Sequence, residues 1–315
     1  MLTVLLGLTG AVVYGAADFL GGLAARRVRA VTVAAVAAAV GLVPLLVGLP
    51  LVGAVLSGAA IATGVVAGLS GSVAVLLLYR ALAVGPMSVL SPLTAVFAAV
   101  TPVVVALARG TVLSALASVA LVVAVVAVVL VAAVRDTSGA RVTVRGLVTA
   151  AVAGCGFGGI VLAYDAVPED AGVASLLVAR AVQTVVLGTV AVAVAVRRAR
   201  PGGTVDPGTS ARPVGSAGAG PVGAGSGAIA PRWSRRLVVT VAACGVLDAL
   251  ANACIQAALH VGSDASTLPV VSVLNALYPV GTVVLAGVVL RERLTGVQWT
   301  GIVLAFAASV GLALT

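Results

Sequence analysis

Asp248, Asn252 and Gln256 stand four residues apart on an otherwise apolar stretch, LVVTVAACGVLDALANACIQAALH (237–260), so a helix would put all three on one face. An acid in the middle of such a stretch, backed by two amides, suits a site that takes up a proton or a cation; the alternative is a structural acid neutralised by protonation or by a neighbouring helix. Arg180 is the second ionisable residue in an apolar segment. It cannot shed its proton and must find a carboxylate, a substrate anion or carbonyl oxygens. At a rise of ~1.5 Å per residue, its Cα should lie ~7 Å in depth from that of Asp248, close enough for a side-chain bridge. Asp18 is the third, and the same count puts it ~15 Å from Arg180, towards Arg26 and Arg27. It is a second proton-coupling candidate or a structural acid. Asn275 and Tyr278, at i and i+3 just before Pro279, could line a cavity or make packing hydrogen bonds. Tyr14, early in the first apolar segment, could be a gate or an interfacial anchor. Asp248, Asn252, Gln256, Arg180, Asn275, Tyr278 and Tyr14 are the candidate substrate-binding set.

Other chemistries lack their residues. His260 is the only histidine, so neither a histidine relay nor a histidine metal site is available. Phosphate-binding glycine loops, nucleophile elbows and metal-ligand constellations are missing from the sequence. Cys155, Cys244 and Cys254 fall inside apolar segments without metal spacing and read as packing residues. Glu292, between Arg291 and Arg293, reads as a solvated pair. The expectation is a protein that is not an enzyme and carries no cofactor.

These residues are positioned by membrane-spanning helices. The chain is 62% hydrophobic and 9% charged with mean hydropathy +1.27, far from the roughly 25% charge of soluble domains. Apolar runs of about 20 residues recur along it, each able to cross the hydrocarbon core. The reading is an all-α polytopic membrane protein with ten spans: 2–23, 30–52, 57–80, 87–108, 112–134, 146–167, 172–196, 237–260, 265–290 and 297–314. Met1 leads directly into the first span with no basic segment before it, so no cleaved signal peptide is expected.

The spans are duplicated. ALAVGPMSVLSPLTAVFAAVTPVVVALARG (81–110) aligns without a gap on ALHVGSDASTLPVVSVLNALYPVGTVVLAG (258–287) at an offset of 177 residues, superposing Gly85 on Gly262, Pro92 on Pro269 and Pro102 on Pro279. Tyr14-Gly15 superposes on Phe157-Gly158 at an offset of 143. The 34-residue difference is absorbed by a long connection after the seventh span. Five spans per half is an odd number, so the repeat must be inverted, with the site between the halves. The halves are 1–135 and 136–315. Pro92, Pro102, Pro269 and Pro279 are candidate hinges, or kinks that only shape packing.

The connection 197–236 is rich in Gly, Ala, Pro and Ser and reads as a flexible linker inside the second half. All 18 basic residues are Arg, and sixteen of them fall in the connections between spans 1–2, 3–4, 5–6, 7–8 and 9–10. Asp165, Glu169, Asp170 and Asp264 fall on the other side. The arginines therefore read as orientation signals facing anionic lipid, not as a nucleic-acid surface. They place the linker in the cytoplasm and both termini outside, in a multi-pass plasma-membrane protein whose partners are a small-molecule substrate and the bilayer. Oligomeric state is not legible.

VYGAADFLGGLAAR (13–26), LLYRALAVGPMSVLSPLTA (77–95), GFGGIVL (156–162), LDALAN (247–252) and VLNALYPVGTVVLAGVVLRERLTGVQWTGIVLA (273–305) together resemble the EamA-type permeases of the drug/metabolite transporter superfamily. The resemblance implies a carrier of small metabolites working by alternating access around a central cavity, often as a proton-driven exporter. It also marks departures. The glutamate that relatives carry after the fourth and ninth spans is present here only as Glu292, since 108–111 reads Ala-Arg-Gly-Thr. An arginine in the second span of a half is present only as Arg180. Flipping of a lipid-linked substrate and a non-transporting scaffold or sensor remain alternative readings of the same sequence.

Overall fold

The computed structural model describes residues 1–84, 87–132, 144–199, 233–262, 264, 266–289 and 295–313. Among these the regular structure is helical apart from one isolated β-bridge: α1 (Leu2–Ala25), α2 (Ala30–Val52), α3 (Gly58–Val84), α4 (Met87–Ala108), α5 (Ala115–Ala132), α6 (Val144–Asp165), α7 (Ala174–Ala199), α8 (Arg235–Val261), α9 (Thr267–Asn275), α10 (Tyr278–Val289) and α11 (Gly296–Ala313). Apolar Ala, Val and Leu runs can enter lipid only if every backbone N–H and C=O is paired within the segment, which the α-helix achieves. Six helices among the described residues are long and apolar enough to cross a membrane: α1, α2, α3, α6, α7 and α8. Three further apolar stretches are shorter, Thr94–Ala108, Ser118–Ala127 and Thr267–Thr282. The protein is a multi-pass, all-helical membrane protein.

The expected ninth span, 265–290, is not one helix. It is interrupted at Ala276 and Leu277. Pro279 has no N–H to offer the carbonyl of Asn275, and its ring disfavours helical backbone in the residue before it. The chain answers with a tighter turn: Leu277 N–H donates to Leu274 O (3.1 Å) and Val280 N–H to Leu277 O (2.9 Å). Pro102, its repeat partner, sits buried inside an unbroken α4. Pro269 lies buried in the first turn of α9, while Pro92 lies within α4.

Burial is inverted relative to a soluble protein. Leu5, Val47, Val122 and Val239 are exposed on the outside, where lipid would cover them, while Gly and Ala fill the inter-helix seams. With lipid as apolar as leucine, tight association comes from close backbone approach at small residues. A Cβ on Gly15 would lie 2.8 Å from Thr282 N, and one on Gly64 2.7 Å from Ser175 O. The pairing of helices is reciprocal between α1–α5 and α6–α11. Thus α1 packs on α8 as α6 packs on α3, α2 packs on α8 as α7 packs on α3, and α1 packs on α9 and α10 as α6 packs on α4.

At one end of the bundle the α6–α7 connection is clamped. Val173 N–H donates to Gly53 O (3.1 Å) and Val55 N–H to Ala171 O (3.2 Å), a single β-bridge pairing Ala54 with Gly172. Gly172 has φ +57° and lies against Gly53 O, so a side chain there would face both left-handed strain and a collision. From α8, Gln256 Nε2 donates to Gly172 O (2.9 Å) and His260 Nε2 lies 2.9 Å from Val167 O. A carbonyl only accepts, so this ring nitrogen carries the proton. Arg109 pairs with Asp165 at 3.8 Å on the same end.

Candidate functional site

Arg180 and Asp248 meet inside the bundle. The guanidinium, 4% exposed, forms an ion pair with Asp248 Oδ2 through Nη1, and the same nitrogen donates to Gln183 Oε1 (3.0 Å). Asn252 Nδ2 donates to the Asp248 carbonyl (2.7 Å) and more weakly to its Oδ1 (3.4 Å). The side chain of Arg180 passes along α2 at Gly41, where a Cβ would stand 3.6 Å from Arg180 Cδ and 3.0 Å from Gly245 O. An arginine stays charged in such surroundings, so an opposite charge and a neutral acceptor are what its burial requires. Gln183 was not singled out from the sequence. Its position three residues after Arg180, on the same helical face, was the available signal.

Asp18 sits elsewhere than expected. Gly10 of α1 meets Ile255 of α8 and Gly21 meets Cys244, so the register sets Asp18 level with Asp248, within that residue's electrostatic reach. Among the described residues Asp18 has no ion pair, and it does not join Arg26 or Arg27. Counting from helix ends misplaced it because α8 begins at Arg235, well past the level of Ala25. The neighbourhood therefore holds two carboxylates and one guanidinium.

Three tyrosines surround this charge cluster. Tyr14 is buried and lies within electrostatic reach of Asp248 and Arg180, so it is neither at the edge of the bundle nor at an interface. Tyr164 of α6, unremarked in the sequence, lies near both charges as well. Tyr79 of α3 reaches Cys244 at 3.9 Å, and its hydroxyl fills the space left by Gly21. Gln256 and Asn275 are buried further along, 5% and 7% exposed, and each has a side-chain oxygen without a hydrogen-bond partner. Tyr278 is buried beside α1, its carbonyl facing Gly15. Among the described residues there is no cluster of His, Cys, Asp or Glu able to hold a metal ion.

A family model covers the last part of the chain. Residues 216–314 match the EamA-like transporter family. The match agrees, over that part of the chain, with the resemblance read from the sequence motifs. The matched family is one of transporters. The matched residues include α8 to α11, hence Asp248, Asn252, Gln256, Asn275 and Tyr278. No curated protein matches the chain. The fold is similar to a solved structure described only as "Crystal structure of protein", with a TM-score of 0.67 at 15% identity, covering 99% of this chain and 96% of that one. At that identity the likeness concerns the fold alone.

Proposed function

We propose that this EamA-like protein is a ten-span carrier of a small organic solute, built as two inverted five-helix repeats, 1–135 and 136–315, that rock around a central site. The observation carrying this reading is the buried Arg180–Asp248 pair, flanked by Asn252 and Gln183. Charges are costly inside a membrane bundle and are retained there chiefly for a transported or coupled species. The exchanged packing of α1 on α8 and α6 on α3 supports the inverted repeat, and the broken α9–α10 pair resembles the discontinuous helices that frame midplane sites in carriers. Pro92, Pro102, Pro269 and Pro279 are the proposed flexing points.

Proton coupling follows from the charge count. Two carboxylates with one guanidinium leave one negative charge uncompensated, which a proton can cancel. In this mechanism Asp248 alternates between its Arg180-paired and protonated forms as the halves rock, with Asp18 as the second proton acceptor. Arginine-rich connections on one side support a cytoplasmic linker 197–236 in a plasma-membrane protein.

The test is flux in proteoliposomes under an imposed pH gradient, using amino acids, sugars, nucleosides, cationic drugs and organic anions. Asp248→Asn should abolish pH-driven flux of any solute the wild type moves, with the protein still folded. Coupled flux retained in that variant overturns the coupling mechanism. Wild-type protein moving none of these classes overturns the small-solute reading. Orientation is checked separately with an impermeant maleimide on Arg27→Cys and Glu169→Cys in intact cells, where only the second should label.

A further inference from the structure

Gln256 Oε1 and Asn275 Oδ1 are buried and unpartnered, and both belong to residues more than nine-tenths buried. Amide orientation does not remove the problem at Gln256. Its other atom, Nε2, donates to Gly172 O, and that carbonyl requires a donor, so the oxygen must face the other way. The two oxygens also lie at similar depth. The α8–α9 hairpin turns between Val261 and Thr267, putting Gln256 ~8 Å and Asn275 ~12 Å below the turn. Contacts along α1 agree, since Gly10 meets Ile255 and Gly7 meets Leu274. From Asp248, Gln256 is ~12 Å along α8, with Asn252 on the face between them.

We infer that Gln256 Oε1 and Asn275 Oδ1, at one level of α8 and α9, form a subsite that accepts hydrogen bonds from donor groups of the transported solute, an ammonium, amide N–H or hydroxyl. This rests on the transport reading above and adds the substrate class: a solute with a hydrogen-bond donor. An acceptor buried without a donor is unfavourable, and such groups in native proteins are normally paired. Two at one level along α8 and α9 make a place for a donor to enter. Gln256 gives the subsite a second consequence. Its nitrogen grips the α6–α7 connection while its oxygen awaits the solute, so one carboxamide joins solute binding to that clamp.

The full-length protein in detergent is heated alone and with propylamine, propionamide, glycerol or propyltrimethylammonium. Wild type, Asn275→Leu and Gln256→Glu are compared. Without additive, Asn275→Leu should melt higher by ~2–4 °C, because an unpaired acceptor has been removed. At least one donor-bearing probe should raise the wild-type midpoint, propyltrimethylammonium should not, and Asn275→Leu should lose the response. Gln256→Glu, which as a neutral acid can donate to Gly172 O and keeps an oxygen in place of Oε1, should retain a response to the same probe. A lower or unchanged midpoint in Asn275→Leu would mean that a structural water fills the site, and equal responses in wild type and both variants would place the probes elsewhere; either result overturns the subsite. Flux of the responding probe separates the two readings. Binding through Gln256 and Asn275 without flux defeats the transport reading and leaves the subsite standing, whereas flux unaffected in both variants defeats the subsite alone.

Discussion

Arg180 reaches Asp248 past a glycine: Gly41 of α2 stands where a Cβ would crowd the Gly245 carbonyl at 3.0 Å and touch the Arg180 stem at 3.6 Å. The charge pair is therefore a product of three helices, with α2 contributing only absence of a side chain. The same design is not repeated in α3. At the offset of 177, Asp248 corresponds to Gly71, where a Cβ would collide with the Gln183 amide. Helix α8 supplies the acid, and α3 leaves room for the amide that supports its partner.

The pair should behave asymmetrically on mutation. A carboxylate that loses its partner can take up a proton, whereas an arginine cannot. Asp248→Leu should cost about 3–5 kcal/mol of stability and Arg180→Leu distinctly less, with the double variant recovering part of the loss. Unfolding midpoints in denaturant measure all three. Strictly additive losses would mean that the two side chains contribute separately.

Much of this arrangement was legible in the sequence, and the exceptions have physical causes. The i, i+4, i+8 spacing of Asp248, Asn252 and Gln256 sufficed to place them on one face, and depth counting sufficed to bring Arg180 to Asp248. Depth counting failed for Asp18 because it assumes that helices end at a common level, and α8 does not end level with α1. Tyr79 and Tyr164 escaped notice because a lone tyrosine on an apolar helix carries no periodic signal, and what brings them to the charges is packing against Gly21 and around Arg180. The break between α9 and α10 was written in Pro279, yet Pro102 leaves α4 unbroken, so the proline alone does not decide.

The clamp on the α6–α7 connection gives a prediction about local opening. His260 Nε2 at Val167 O and Gln256 Nε2 at Gly172 O tie residues 167–172 to α8, while the Ala54–Gly172 bridge ties them to the α2–α3 connection. Removing one hydrogen bond should raise the opening frequency by the net worth of that bond, about 0.5–1.5 kcal/mol or roughly two- to tenfold. His260→Ala should speed amide exchange across 167–173 by that factor and leave the α1–α2 connection unchanged. Mass-spectrometric hydrogen exchange reads both segments in one sample. Acceleration everywhere would mean that His260 stabilises the whole bundle and not this connection.

Glycine does two opposite things in these helices, and a matched pair of substitutions separates them. At Gly15 a Cβ would stand 2.8 Å from Thr282 N and 3.0 Å from Gly281 C, both backbone atoms of α10 that no rotamer change can move. At Gly188 of α7 nothing lies within 4 Å of that position. Gly15→Ala should therefore cost about 1–3 kcal/mol, the usual penalty of overpacking, because α1 and α10 must separate. Gly188→Ala should gain roughly 0.5–1 kcal/mol through helix propensity. Gly15 Cα faces Tyr278 just beyond the α9–α10 break, so the first substitution should also displace Asn275 and weaken any probe response at that subsite. Thermal midpoints of the two variants, taken side by side, test the seam, and equal shifts would mean that α1 and α10 do not depend on backbone contact.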